Sequence, residues 1–448
     1  MFDNFNDFKN KISGKKVCVV GIGVSNIPLI KLLSECGAYV TACDKNENIK
    51  LEEKNVTLSL GEDYLKNLSG DYLFKSPGIR PDIPEFIKFQ ENGGILTSEM
   101  EVFFDVCPCK IIGITGSDGK TTTTTLISEL LKDAGYNVHI GGNIGKPLLY
   151  ETDKIDKDDI CVIELSSFQL MTIRKSPEIA VVTNITPNHL DKHTSMQEYI
   201  DSKENIALYQ NEGDILILNY DNEITHSFHN DKKSDIKWFS RYNELKSGVY
   251  YKNGYIYDDD EKILDINDIK IPGMHNVENY MAAYAAVKHL IKKDNLLNVA
   301  KKFGGVEHRI EYIKSINGVS YYNDSIASSP TRTIACINAF YEKGTKITLI
   351  AGGYDKNIPF DILGEEIACK VKKLYLVGDT KDKIKDAVMN IDRDFDITIF
   401  DSLKETVDYI KNNVQEGDVV VMSPACASFD KYKNFEERGN LFKKYILE

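Results

Sequence analysis

Residues Lys110–Thr125 read KIIGITGSDGKTTTTT, an apolar run, a glycine-rich break and a run of threonines in succession. Ile111, Ile112 and Ile114 are apolar and β-branched and suit a buried strand. Gly113, Gly116 and Gly119 then break the run, and Lys120 and Thr121 stand where a helix should begin. Glycines let backbone N–H groups close on a phosphate with no Cβ in the way, and the N-terminus of the new helix adds positive potential. In such a loop Lys120 reaches the β- and γ-phosphates and the Thr121 hydroxyl ligates Mg²⁺. The long form of the motif wants Gly six residues before the lysine, where this chain has Ile114, so the pattern is the shorter T-G-x-x-G-K-T. The alternative is a glycine-rich turn with a chance lysine. Strand, turn and helix in that order favour an ATP site.

The chain around the loop is 448 residues long with 42% hydrophobic residues, enough for about two to four domains with ordinary cores. Its net charge is −13 and it has no dense Lys/Arg block, which argues against a nucleic-acid or membrane-surface partner. No apolar run reaches the ~18 residues of a membrane span. MFDNFNDFKNK at the start lacks the apolar core of a secretory signal, so a cytoplasmic protein is expected. The nine cysteines are irregularly spaced. Cys107 and Cys109 are too close for a standard zinc pair and no second pair completes one, so reduced thiols are expected.

Upstream, Lys16–Val20 reads as a strand, Gly21 and Gly23 as a turn, Ser25-Asn26 as the entry to an apolar helix, and YVTAC as a strand ending at Asp44. An acidic residue about 20 positions after a G-x-G resembles a dinucleotide-binding start, but the third glycine is replaced by Asn26. An NAD site, a site for another nucleotide, and a turn that binds nothing all remain open. Leu73-Phe74 before Ser76-Pro77-Gly78 is a second strand-to-turn element, and Asp105–Cys109 reads as a linker.

Downstream, Leu126, Ile127, Leu130 and Leu131 have helical spacing and belong to the core of a helix over Thr123–Ala134. Gly141–Gly145 reads as a polar loop after a short strand at Asn137–Ile140. Glu164 closes the apolar run Ile160–Ile163, where a carboxylate beside a phosphate loop can hold Mg²⁺ or simply begin a helix. His189, Asp191 and His193 follow the strand Ile179–Thr183, a placement equally compatible with function and with a satisfied histidine. By pattern alone, Lys203 in a helix over Gln197–Tyr209 is a solvated lysine. Tyr250-Tyr251 and Tyr255–Tyr257 flank a hairpin turn, and one long helix is expected from about Val277 to Lys293. From Val319 on, strands alternate with helices and imply a doubly wound parallel sheet, with Asp324, Lys356 and Ser428 just past strand ends. A nucleophilic Ser428 or Cys426 lacks a well-placed histidine.

Taken together, these segments resemble the Mur ligases, the ATP-dependent amide-bond ligases of peptidoglycan precursor synthesis. The residues are TGSDGKTTT at Thr115–Thr123, ELSSFQL at Glu164–Leu170, NITPNHLDKH at Asn184–His193 and MHNVEN at Met274–Asn279. To these add EHR at Glu307–Arg309, NDSIASSPT at Asn323–Thr331, AGGYDK at Ala351–Lys356 and SPACASFDKYKNFEERG at Ser423–Gly439. The last two point to the member that adds D-glutamate. The resemblance implies an α/β fold in three domains: a Rossmann-like domain over 1–107 for the UDP-sugar, a central P-loop ATPase with a mostly parallel sheet over 108–305, and a Rossmann-like amino-acid domain over 306–448.

It also implies roles. Ser25, Asn26, Asp44, Lys45, Ser76 and Gly78 line the UDP-sugar pocket, which decides the first glycine turn against NAD. Gly116, Ser117, Asp118, Gly119, Lys120, Thr121 and Thr122 hold ATP phosphates, joined by Asn279, Arg309 and Asp324. Thr121, Glu164 and His189 hold Mg²⁺, with two ions expected. Asn143 and His189 lie near the substrate carboxylate. Lys203 matches a lysine that the family carbamylates, which needs an amine with a depressed pKa. Ser328, Lys356, Ser428, Phe429 and Phe435 form the D-glutamate pocket. The implied substrates are ATP, UDP-N-acetylmuramoyl-L-alanine and D-glutamate, and a monomer is expected. Asp118 stands where many members have Asn, and Ile326 where some have Lys. Another amide ligase of the superfamily, such as a folylpolyglutamate synthetase, and a non-catalytic nucleotide switch are the rival readings.

Overall fold

A computed structural model describes residues 1–188, 192–356 and 358–448. Met1–Leu264 with Glu278–Leu296 form one compact unit, and Asp265–Val277 with Leu297–Glu448 a second.

The first unit holds two sheets. Five parallel strands run, edge to edge, Val56–Leu60, Tyr39–Asp44, Lys16–Val20, Tyr72–Lys75 and Ile95–Thr97. The nine-stranded sheet runs Glu261–Asp265, Tyr255–Asp258, Val249–Lys252, Asp235–Ser240, Ile215–Asn219, Ile179–Val182, Lys110–Thr115, Ile160–Glu164, Val138–Gly142. The three strands at Lys110–Thr115, Ile160–Glu164 and Ile179–Val182 are buried along almost their whole length and pair in parallel. That accounts for their unbroken apolar character, since a strand covered on both faces needs no alternation. Toward one edge of the nine-stranded sheet lies the expected hairpin, turned at Asn253 (φ 48°) and Gly254 (φ 86°), with the strand Glu261–Asp265 outside it.

The second unit has a six-stranded sheet: Glu311–Ile316, Val319–Asn323, Val419–Met422, Thr348–Ala351, Lys373–Leu376, Ile397–Ile399. It is parallel apart from the hairpin of its first two strands. The α/β class with mostly parallel sheets is as expected.

Three local expectations change. The phosphate-loop helix starts at Lys120 and ends at Asp133. Gly141 and Gly142 lie inside the strand Val138–Gly142, where a Cβ on Gly142 (φ 93°) would sit 2.1 Å from the Glu164 carbonyl oxygen. The long helix is Met274–Val287, with a separate helix at Lys293–Lys302. Between them the Asn295 side chain holds a turn, accepting from the Lys292 N–H at 2.8 Å.

Candidate active site

The strand Lys110–Thr115 delivers the chain to the sheet's carboxyl edge, and Gly116 and Gly119 turn it into the helix with φ 146° and 79°. The loop is packed from both sides. A Cβ on Gly116 would lie 2.0 Å from Thr183 Oγ1, and one on Gly119 2.4 Å from Asn279 Oδ1, so both positions demand glycine. The end of the neighbouring strand holds the loop in place. Ser117 N–H donates to the Asn184 carbonyl at 2.8 Å, Asp118 N–H to Asn184 Oδ1 at 2.9 Å, and Thr183 Oγ1 to the Asp118 carbonyl at 2.6 Å. Ser117 Oγ donates to the Thr186 carbonyl at 2.9 Å and meets Tyr199 OH at 2.8 Å. The loop uses the backbone of Asp118, and its side chain is exposed.

Two lysines converge on one carbonyl. Lys120 Nζ donates to the carbonyls of Gly116 and Ser117, both at 2.9 Å. Lys203 Nζ donates to the same Gly116 oxygen at 2.7 Å and lies 4.8 Å from the Tyr199 ring centre. Lys203 is 2% exposed, which overturns the solvated lysine that its helical pattern suggests. Burial, and next the Lys120 charge, hold its amine well below the ordinary lysine pKa, against the opposing pull of Glu164 and Asp118. Lys120 is placed to exchange its two backbone partners for an anion.

Glu164 ends its strand with 1% exposure. Asn143 Nδ2 donates to its Oε1 at 2.8 Å, and its Oε2 is buried with no hydrogen-bond partner. An ionised oxygen in that state is costly unless a cation sits on it. A buried carboxylate oxygen of this kind suits Mg²⁺, which prefers carboxylate and phosphate oxygen. Thr121 is half-buried and Thr122 buried in the first turn of the helix, and Thr123 Oγ1 meets Asn279 Oδ1 at 3.3 Å. His189 and Asp191 lie outside the described residues. His193 is a packing residue: it stacks on Phe168 at 5.0 Å and meets Ser167 Oγ at 2.9 Å.

At the carboxyl edge of the five-stranded sheet, Asn26 is buried and donates to the Gly21 carbonyl at 2.8 Å. Asp44 accepts from Ile22 N–H at 2.7 Å and Asn46 N–H at 2.8 Å. The carboxylate thus braces the glycine turn, a use unlike binding a ribose in the dinucleotide fingerprint. Lys45 is exposed and pairs with Glu62 at 3.1 Å. Ser25, Asn26, Lys75, Pro77 and Gln169 line a small cavity, and Ser76 and Gly78 belong to the adjoining turn. Lys75 escaped the sequence reading. It ends the strand YLFK with 1% exposure, and burial brings its amine down to about 8. Arg80, just beyond, forms a two-pronged pair with Glu198 at 2.8 and 3.0 Å.

In the second unit, Asp324 is buried and accepts from Ser423 Oγ at 2.7 Å and Ile310 N–H at 3.2 Å. Burial pushes its carboxyl up to about 6. Arg309 is half-buried and follows His308, which adopts φ 62°. Ser428 is buried, Ser328 half-buried and Lys356 exposed. Phe429 is 64% exposed, edge-on to Tyr354. Phe435 opens the last helix, edge-on to His308. Arg438, which the sequence reading left without a role, binds these segments together. It is 4% exposed and donates to the carbonyls of Ser325, Cys426 and Ala427 at 2.8, 3.1 and 3.0 Å. Cys426 is buried against Thr380, and burial pushes its thiol up to about 11.

Comparison with known proteins matches residues 114–287 to the Mur ligase middle domain and 308–426 to the Mur ligase glutamate ligase domain. The chain is 51% identical, over 100% of its length and 99% of the relative's, to the UDP-N-acetylmuramoylalanine--D-glutamate ligase of Clostridium beijerinckii. It is 49% identical over the same shares to the protein of that name from Clostridium tetani. Among solved structures it is similar to MurF from Acinetobacter baumannii (TM-score 0.60, 13% identity, 97% of this chain and 91% of that one). It is also similar to the UDP-N-acetylmuramate-alanine ligase MurC from Thermotoga maritima (TM-score 0.59, 19% identity, 96% and 98%). The phosphate loop, the buried lysine and the partnerless glutamate oxygen thus stand in a chain that belongs to the Mur ligase family, in the branch of the UDP-N-acetylmuramoylalanine--D-glutamate ligases.

Proposed function

We infer that the protein uses ATP to join the amine of D-glutamate to the L-alanyl carboxylate of UDP-N-acetylmuramoyl-L-alanine, a step of peptidoglycan precursor synthesis. The observation that carries the substrate choice is the full-length likeness, at 51% identity, to a relative named for that reaction. The site's chemistry is consistent with it. A carboxylate does not react with an amine until its oxygen is made a leaving group. Transfer of the ATP γ-phosphoryl to the carboxylate makes an acyl phosphate, the D-glutamate amine attacks the carbonyl, and the tetrahedral intermediate expels phosphate. Such transfers are driven by positioning and charge compensation.

In this reading the Gly116–Thr122 loop holds the ATP phosphates and Lys120 leaves the Gly116 and Ser117 carbonyls to meet them. Thr121, Glu164 and His189 hold Mg²⁺, two ions in all, with Lys203 as a further ligand once carbamylated. Bound there, Mg²⁺ supplies compensation for charge on the phosphates. Asn143, tied to Glu164 at 2.8 Å, orients the substrate carboxylate. Asn279, Arg309 and Asp324 contact the nucleotide. Ser25, Asn26, Asp44, Lys45, Ser76 and Gly78 hold the UDP-sugar. Ser328, Lys356, Ser428, Phe429 and Phe435 receive D-glutamate, with Lys356 facing its side-chain carboxylate. The functional division is 1–107, 108–305 and 306–448, and the chain acts as a monomer in the cytoplasm. No described helix is long and apolar enough to cross a membrane.

The test is incubation with UDP-N-acetylmuramoyl-L-alanine, ATP, Mg²⁺ and D-glutamate, read by phosphate release and by mass analysis of the amide. A parallel panel holds meso-diaminopimelate, L-lysine and L-alanine. Product with D-glutamate alone is expected. Phosphate release that answers only to another amino acid overturns the substrate, and hydrolysis indifferent to all of them overturns ligation.

A further inference from the structure

Three cysteines meet at the opposite end of the strand that carries Glu164. Cys107 and Cys109 lie in the segment joining the helix Glu99–Val106 to the strand Lys110–Thr115, and Cys161 is the second residue of the strand Ile160–Glu164. The sequence offers only the close Cys107/Cys109 pair. The sheet supplies the third thiol by pairing Ile111 with Cys161 in parallel register. Their sulfurs are 3.5 Å (Cys109–Cys161), 3.7 Å (Cys107–Cys109) and 3.8 Å (Cys107–Cys161) apart.

Those separations match a coordination polyhedron. Zinc–thiolate bonds are about 2.3 Å, so two sulfurs on one tetrahedral zinc lie about 3.8 Å apart. The three thiols already occupy nearly one face of such a tetrahedron, and among the described residues no other group of three or more His, Cys, Asp or Glu side chains clusters this way. A second observation concerns the remaining corner. His139 is the register neighbour of Cys161 on the next strand, so the two side chains leave the same face of the sheet. Its Nε2 is tied to Asp159 at 2.7 Å, the carboxylate–histidine pairing that orients metal-binding imidazoles. Cys161 and Cys109 are buried, whereas Cys107 is half-buried, which leaves a side from which an ion can enter.

We propose that Cys107, Cys109 and Cys161 form a three-thiolate site for a soft d¹⁰ ion, zinc being the type, with His139 or a water at the fourth corner. Loading exchanges three thiol protons, released to solvent, for one divalent ion. The ion fastens the segment before the phosphate-loop strand to the sheet. Glu164 lies three residues beyond Cys161, about 10 Å along the strand, so the site is structural and separate from the phosphoryl-transfer centre.

The test uses the full chain, purified under reductant without chelator, equilibrated with zinc and desalted. About one zinc per chain is expected by elemental mass spectrometry, falling to background in Cys107→Ser and in Cys161→Ser. Cobalt in place of zinc is expected to show thiolate-to-metal charge transfer and tetrahedral d–d bands. Stripping the metal is expected to lower Tm in the parent chain and to leave both variants unmoved. Zinc-free parent protein, full retention of zinc in both variants, or a disulfide among these three cysteines in freshly isolated protein each overturns the proposal. Should a serine variant fail to fold, the parent chain's metal content and cobalt spectrum still decide it.

Discussion

Replacing Lys203 by Met separates what the lysine does for the fold from what it does for the reaction. The stem of Met fills most of the same space, so little cavity opens. The loss is a charge-assisted hydrogen bond to the Gly116 carbonyl at 2.7 Å, of the kind that contributes about 1.5–3 kcal/mol. Lys120 still donates to that oxygen at 2.9 Å, so it is not orphaned. The gain is relief from burying an ammonium group, which costs several kcal/mol. The two offset, and stability should change by less than about 2 kcal/mol. Catalysis should not be spared. Loss of one charge-positioning group typically lowers turnover about 10²–10³-fold. An ordinary lysine has about one amine in 2,500 neutral at pH 7, and each unit of pKa lowering multiplies that fraction tenfold. The depressed amine of Lys203 is thereby primed to take up CO₂, so bicarbonate should restore activity to CO₂-stripped parent protein and do nothing for the variant. The stability readout has its own sign. Between the lowered folded pKa and the ordinary 10.5, the unfolded chain binds one proton more, so Lys203 makes stability rise with pH there, and the Met variant should lose that slope. Turnover by phosphate release and Tm against pH are the assays. Turnover within threefold of the parent, at unchanged Tm, would refute the reasoning.

Glu164→Gln removes the charge from the buried partnerless oxygen, so the Mg²⁺ concentration for half-maximal activity should rise at least tenfold with Tm nearly unchanged, as read by Mg²⁺ titration; an unaltered titration counts against that oxygen as a ligand. Gly119→Ala puts a Cβ 2.4 Å from Asn279 Oδ1 at φ 79°, which should cost about 1–3 kcal/mol and weaken ATP binding by calorimetry. Arg80 holds the Glu198 carboxyl down to about 2 against an ordinary 4.5, so the pair's contribution is full above about pH 4.5 and is lost as the pH falls toward 2. The Tm gap between parent and Glu198→Gln should therefore be constant from pH 5 to 8 and close in acid.

Why was the catalytic-looking centre legible only in part? The phosphate loop could be read because its requirements are local: glycine where φ is positive, lysine and threonine where a helix begins. Glu164 could be read because a strand end is visible as the end of an apolar run. Lys203 shows a signal that was present and outweighed. Tyr199, Ser202, Lys203 and Ile206 are all buried on the helix Met196–Leu208, and their spacing is that of its inward stripe. A lysine on that stripe is the observation to pursue, since residue-type averages place lysine outside. Lys75 repeats the pattern as a charged residue at the end of a buried strand. Thr183, Asn184 and Tyr199 are different. They brace the phosphate loop from a strand and a helix more than 60 residues away, and which strands lie beside Lys110–Thr115 is set by sheet order. Cys161 joins Cys107 and Cys109 for the same reason. Local chemistry is written in consecutive residues, whereas the groups that hold it rigid are gathered by register. Sequence reading therefore finds reactive loops before it finds their supports, and a buried charge on an otherwise apolar stripe is the most useful hint of where a support has become part of the chemistry.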